Sequence, residues 1–287
     1  MRGAQDHCTA AFISSVTLSD PLLQYIVPPI SFNVTAAVNQ LLIQLDQVVC
    51  REELVTLSPK VISFRIDAHN RDLLSEELTS VRDRARLGAL SLPHAGDFLF
   101  TIPSPVLGLP MRSDEFRLTV CYRLGIPVFD AAAPCPACHR ESDRYGDHAI
   151  LCGTDGERIA RHNHLRDALY STAAAAALGP LREERALLPG SDKRPADVYL
   201  PNWSGGRDTA LDVTVVNPLR NDYIEREAES PGYASDQASK RKMGQVGQAC
   251  EREGLVFIPL AVETFGGWGK VAVLEIKIGI CLSRQKC

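Results

Sequence analysis

With 287 residues the chain is long enough for two domains, or for one large domain with an appendage. Hydrophobic residues make up 45 % of it and charged residues 23 %, which excludes a disordered or fibrous chain. A formal net charge of −4 excludes a nucleic-acid binder held by bulk electrostatics, so any contact with DNA must be local.

Residues Met1 to Ser15 lack a basic segment leading into an apolar one, so no secretory signal is expected. No apolar run approaches the ~18 residues of a membrane helix, and a soluble intracellular protein without a membrane partner is expected. In a reducing compartment the nine cysteines would be thiols or metal ligands rather than disulfides.

The first third reads as helical. Val38, Leu41, Leu42, Leu45 and Val48 recur at helical spacing, as do Leu74, Leu78, Val81 and Ala85. Prolines at 93, 103, 105, 110, 127 and 134 then predict an irregular connecting segment. A helix is expected from Glu157 through Tyr170 and the alanines that follow, closed by Gly179-Pro180. Over Glu157 to Arg194 seven Arg or Lys face five Asp or Glu, a local basic excess.

The period then shortens. Arg185 to Leu188, Ala196 to Leu200 and Ala210 to Val216 read as strands of an antiparallel meander. A polar helix over Tyr223 to Glu253, broken near Pro231-Gly232, leads to a buried strand at Leu255 to Val262, where Pro259 limits ladder pairing. Helix, three strands, helix, strand describes an α/β domain, a mixed sheet flanked by helices in the order αβββαβ.

Two constellations carry chemistry. In the first, Cys135-Pro-Ala-Cys138 is followed after nine residues by His148 and after three more by Cys152. Two cysteines in a tight turn and a His/Cys pair four positions apart complete a closed tetrahedron, the form of a structural Zn²⁺ site. His139, His162 and His164 are alternative nitrogen donors. A nucleobase deaminase would need a His-x-Glu upstream of the cysteine pair, and the one present, His139-Arg-Glu141, lies downstream.

In the second, Asp197 and Asp212 stand near facing ends of two strands joined by a turn at Gly205-Gly206, which brings both carboxylates to one end of the sheet. Two close carboxylates suit a hard cation, Mg²⁺ or Mn²⁺, and phosphodiester hydrolysis needs such an ion. Thr214 occupies the position where a lysine beside the metal would most simply lie. Lys240 and Lys242 on the following helix are the substitutes, with Lys242 preferred.

The ordered set resembles the C-terminal region of site-specific non-LTR retrotransposon proteins, in which a Cys-Cys-His-Cys zinc motif precedes a restriction-like endonuclease of the PD-(D/E)XK superfamily. The matching elements are Cys135, Cys138, His148 and Cys152, then Arg161-His162, Arg194-Pro-Ala-Asp197, Asp212-Val-Thr-Val215 and a lysine-bearing helix. The resemblance implies a restriction-endonuclease-like fold and Mg²⁺-dependent nicking of target DNA, with DNA, and RNA as a second candidate, for partner and the nucleus for location. It implies residues 1–133 as a mainly helical region like the linker after a reverse transcriptase, 134–156 as the zinc module, 157–270 as the endonuclease domain and 271–287 as a tail. No Tyr-x-Asp-Asp motif is present, so the chain is not itself a polymerase. The alternative is a catalytically inactive nucleic-acid-binding or interaction module, a transposon relic.

Overall fold

The computed structural model describes residues 58–102, 104–105, 110–154, 156–184, 187–189 and 194–273. The expected helix at Val38 to Val48 and most of the expected tail lie outside them. The chain divides into two compact units, Met1–Thr79 and Ser80–Cys287. Of the first, the described part is a helix, α1 (Pro59–Glu77), with Pro59 at its N-terminal turn, where a missing N–H costs nothing.

The second unit opens with α2 (Val81–Leu90), capped by the Ser80 hydroxyl, which accepts from Asp83 N at 3.4 Å. The helical spacing through Leu74, Leu78, Val81 and Ala85 therefore spans two helices, parted at residues 78–80. The irregular segment expected from Leu90 to Pro134 contains a twelve-residue helix, α3 (Ser113–Leu124). Its window lies between Pro110 and Pro127. Arg112 N donates to Glu115 Oε2 at 3.0 Å, and Gly125 ends the helix at φ 72°.

A two-residue pair, β1 (Ala133–Pro134) with β2 (Glu141–Ser142), and a short helix, α4 (Asp147–Leu151), precede the long α5 (Glu157–Ala175). Then come β3 (Leu181–Arg182), β4 (Val198–Ser204) and β5 (Arg207–Val216). Helices α6 (Ile224–Glu229), α7 (Tyr233–Lys242) and α8 (Gln248–Arg252) follow, with a π-helical turn at Met243–Gly247 between the last two, and β6 (Val256–Glu263) closes the sheet.

The four-stranded sheet runs β3-β4-β5-β6, antiparallel twice and then parallel. The expected meander and helical crossover are both present in this mixed α/β unit. Its first described strand is at Leu181–Arg182; of the strand expected over Arg185 to Leu188, residues 185 and 186 lie outside the described residues. Leu188 lies outside any strand and instead buries its side chain against Ala196, Ala210, Cys250 and Phe257, which accounts for its apolar character. The β4–β5 hairpin turns at Gly205 and Gly206, with φ 61° and 77°, the backbone a two-residue hairpin turn requires. Pro259 sits opposite Asp212 in an edge strand, where its missing donor is tolerated.

Alternation along β5 sorts its side chains between two layers. Leu211 and Val213 pack with Val198, Leu200, Ile258 and Leu260 under α5, while Val216 packs with Ala234 and Ala238 of α7. Asp212, two residues after Ala210 and four before Val216, shares their face and so points toward the crossover helices.

Candidate metal centre and acidic cluster

The Cys/His quartet is built by two local devices. The Cys135-Pro-Ala-Cys138 turn is tied by Cys135 N to Arg140 O at 2.7 Å and His139 N to Cys135 O at 2.8 Å. The other half is α4, which carries His148, with Cys152 as its cap donating N–H to His148 O at 2.7 Å. Asp143 fixes the start of α4 by accepting from Tyr145 N, Asp147 N and His148 N at 2.9, 3.1 and 2.7 Å.

Cys135, Cys138, His148 and Cys152 then offer ligand atoms that all lie within 4.8 Å of one another. Cys135 Sγ is 4.0 Å from Cys152 Sγ, and Cys138 Sγ is 3.2 Å from His148 Nε2. A tetrahedron on ~2.3 Å Zn–S bonds has edges of roughly 3.8 Å, so the quartet could hold a zinc ion. The Thr154 hydroxyl, 3.5 Å from Cys152 Sγ, and the Thr154 backbone hold that thiol down to about 6, which favours the ligating thiolate. Of the four histidines considered, His148 joins the cysteines and His162 lies elsewhere.

The module is clamped from both sides. Arg82 of α2 reaches Asp147 with Nε and Nη2 at 2.5 and 2.8 Å and lies over the Tyr145 ring at 4.2 Å. Arg161 of α5 donates Nη2 to Ile150 O at 2.6 Å.

The second constellation forms where β4 and β5 meet the helices. Asp197, just ahead of β4, donates its N–H to Leu211 O at 2.8 Å and accepts Val213 N–H on Oδ2 at 2.7 Å, so its carboxylate is held beside the backbone that carries Asp212. Asp212 is 7 % exposed. Lys242, the last residue of α7, brings Nζ to 3.0 Å from Asp212 Oδ1 and 2.9 Å from Oδ2; the alignment suits Oδ1, and Oδ2 has no well-directed donor.

Burial pushes the Asp212 carboxyl up, Lys242 opposes the shift, and the nearby Asp197 adds to it. Lys240, exposed on the same helix, makes no contact with either aspartate, so of the two expected lysines it is Lys242 that the fold brings in. Thr214 is no substitute: its buried hydroxyl has no partner.

Sequence reasoning named His162 as an alternative zinc donor and as part of the matched Arg161-His162 pair, not as a partner of the aspartates. Its Nε2 lies 3.1 Å from Asp197 Oδ2, a contact that keeps the imidazole pKa above its ordinary value against the effect of burial. The usable signal was its place one turn ahead of Arg166, on the face of α5 turned to the sheet. Glu183 is taken up by Arg166 and by Arg194, the latter at 3.1 Å. Among the described residues the Cys/His quartet is the one metal-ligating group within 4.8 Å; Asp197, Asp212 and His162 are a looser arrangement.

Among the described residues no helix is long and apolar enough to cross a membrane. Compared with known proteins, the chain matches no family model and no curated protein.

Proposed function

We propose that residues 134–270 form a zinc-stapled, restriction-endonuclease-like domain of non-LTR retrotransposon origin that nicks DNA in the nucleus by metal-dependent phosphodiester hydrolysis. The observation that carries the reading is the convergence of Asp197, just ahead of β4, Asp212, in the middle of β5, and Lys242, at the end of α7. A buried aspartate with an oxygen lacking a well-directed donor, beside a second carboxylate, is a donor set of the hard oxygen type that Mg²⁺ or Mn²⁺ takes.

Asp197 and Asp212 hold the ion in this reading. When bound, a divalent cation neutralises phosphate charge and acidifies a coordinated water. Lys242 faces the same carboxylate and orients the attacking water while balancing charge on the phosphate.

Supercoiled plasmid incubated with the zinc-loaded protein and Mg²⁺ or Mn²⁺ tests this. Nicking that needs the metal and falls at least about 100-fold in Asp212→Asn and Asp197→Asn, with zinc content unchanged, supports it. Absence of nicking by folded, zinc-loaded protein would leave the inactive binding module.

A further inference from the structure

Both hydrogen bonds that reach the Asp197 carboxylate among the described residues fall on one of its oxygens, and they come from two different elements. We propose that His162 is a positioning residue for the nicking reaction: its Nε2–H and the Val213 N–H together hold Asp197 Oδ2, which presents Oδ1 to the metal ion. The inference rests on the nuclease reading, which places an ion at Asp197 and Asp212.

The geometry carries it. Val213 N, in β5, donates to Asp197 Oδ2 at 2.7 Å, and Nε2 of His162, on α5, lies 3.1 Å from the same oxygen. A carboxylate only accepts, so Nε2 carries the proton in this contact and His162 acts on the site through Asp197 alone. One hydrogen bond leaves a carboxylate free to swing about the bonded oxygen. A second donor on that oxygen, approaching from another element, fixes the plane of the group. Among the described residues Oδ1 accepts no hydrogen bond, so its lone pairs stay available to a ligand.

The ring is a firm donor because its helix is pinned on either side of it. Arg161 is bonded to Ile150 O at 2.6 Å, and Arg166, one turn on, is bound to Asp167 at 2.9 Å and to Glu183. The His162 side chain is 32 % exposed and that of Asp197 15 %, so the bond between them is largely shielded from competing water. Lys242, the other cationic side chain of the cluster, is bonded to Asp212. Each aspartate therefore has its own side-chain partner, and hydrogen-bonding partners of this kind orient the carboxylates that ligate metals.

The test pairs plasmid nicking with Mn²⁺ binding to the zinc-loaded full chain, read from the electron paramagnetic resonance signal of free Mn²⁺. His162→Ala should weaken Mn²⁺ binding and lower kcat by about tenfold or more each, with KM for DNA within about twofold of wild type. His162→Gln, whose amide can donate to Asp197 from nearly the same place, should return both to within about threefold of wild type. Circular dichroism and zinc content confirm that each variant is folded, and a merely structural role would leave the Mn²⁺ affinity of folded protein unmoved.

Mn²⁺ affinity and kcat unchanged in His162→Ala would mean that Val213 N alone fixes Asp197, and would overturn the proposal. A loss that His162→Gln does not restore would overturn it as well, since donation of a hydrogen bond is then not what the imidazole supplies. If Asp212→Asn abolishes Mn²⁺ binding in either case, the nuclease site stands without His162. If wild type binds no Mn²⁺ at all, the ion site itself fails, and this proposal with it.

Discussion

Lys240 and Lys242 differ by two positions, yet the helical turn separates them by about 200° of azimuth, and only the second can face β5. Lys242→Ala should therefore reduce nicking by roughly 100-fold, while Lys240→Ala stays within about twofold. The same variant has a signature in stability. The Asp212 carboxyl is raised in the folded protein, so what it contributes is present below its ordinary value of 3.8 and is lost as pH rises through the folded value. Removing the ammonium that opposes the shift raises the folded value further and steepens that loss. Thermal melts of Lys242→Ala and wild type should diverge more at pH 8 than at pH 5; parallel melts would mean that Asp212 is charge-balanced by another group.

The element that delivers the lysine is seated at its other end on two buried acids. Glu227, 0 % exposed, accepts from Gly232 N at 2.6 Å and Ala234 N at 2.8 Å. Glu263, 1 % exposed, accepts from Ser235 N at 3.3 Å and Ser235 Oγ at 3.1 Å through Oε1, and its Oε2 has no partner. Burial, then the charge of Glu227, pushes Glu263 up to about 8, with Ser235 opposing and Asp236 adding a little. A raised acid stabilises the fold below its ordinary 4.5 and progressively less as pH climbs to about 8. Glu263→Gln should flatten this decline: urea midpoints measured at pH 5 and pH 8 should differ less in the variant than in wild type. An equal difference in both would show that Glu263 is ionised throughout.

The break that frees α7 was legible, because Pro231-Gly232 supplies a proline that cannot continue a helix and a glycine at φ 88°. Strands β4, β5 and β6 were legible from their β-branched runs, and the quartet from its spacing. The first strand was not. Leu187 and Leu188 look like strand residues, but their apolar character serves the core cluster beneath a loop. Helix α3 was hidden by prolines that lie outside its own window. His162 was hidden because a polar residue on a helix face has no periodic signal; its partner is thirty-five positions away.

Over the whole second unit, the Cys/His module, which could hold zinc, acts as a bracket between α2 and α5. Cys138→Ser should lower zinc from one ion per chain toward none, and the melting temperature by several degrees or more, since structural zinc contributes directly to folding. Arg82→Ala should retain the zinc but cost about 1–3 kcal/mol through the unpaired Asp147. Zinc assay together with calorimetry separates the two. A Cys138→Ser protein as stable as wild type would mean that the quartet is a set of ordinary thiols.

The parallel pairing of β5 with β6 has a consequence in time. The β4–β5 hairpin closes over a two-residue turn, so both aspartates can meet early from local contacts. Residues 209 and 256 pair only after the whole crossover has been spanned. Lys242 lies thirty positions from Asp212 in the chain, so it reaches that carboxylate across a longer loop than the hairpin that brings Asp197 there. During refolding the two acids should come together first, and the cation that balances them should arrive later.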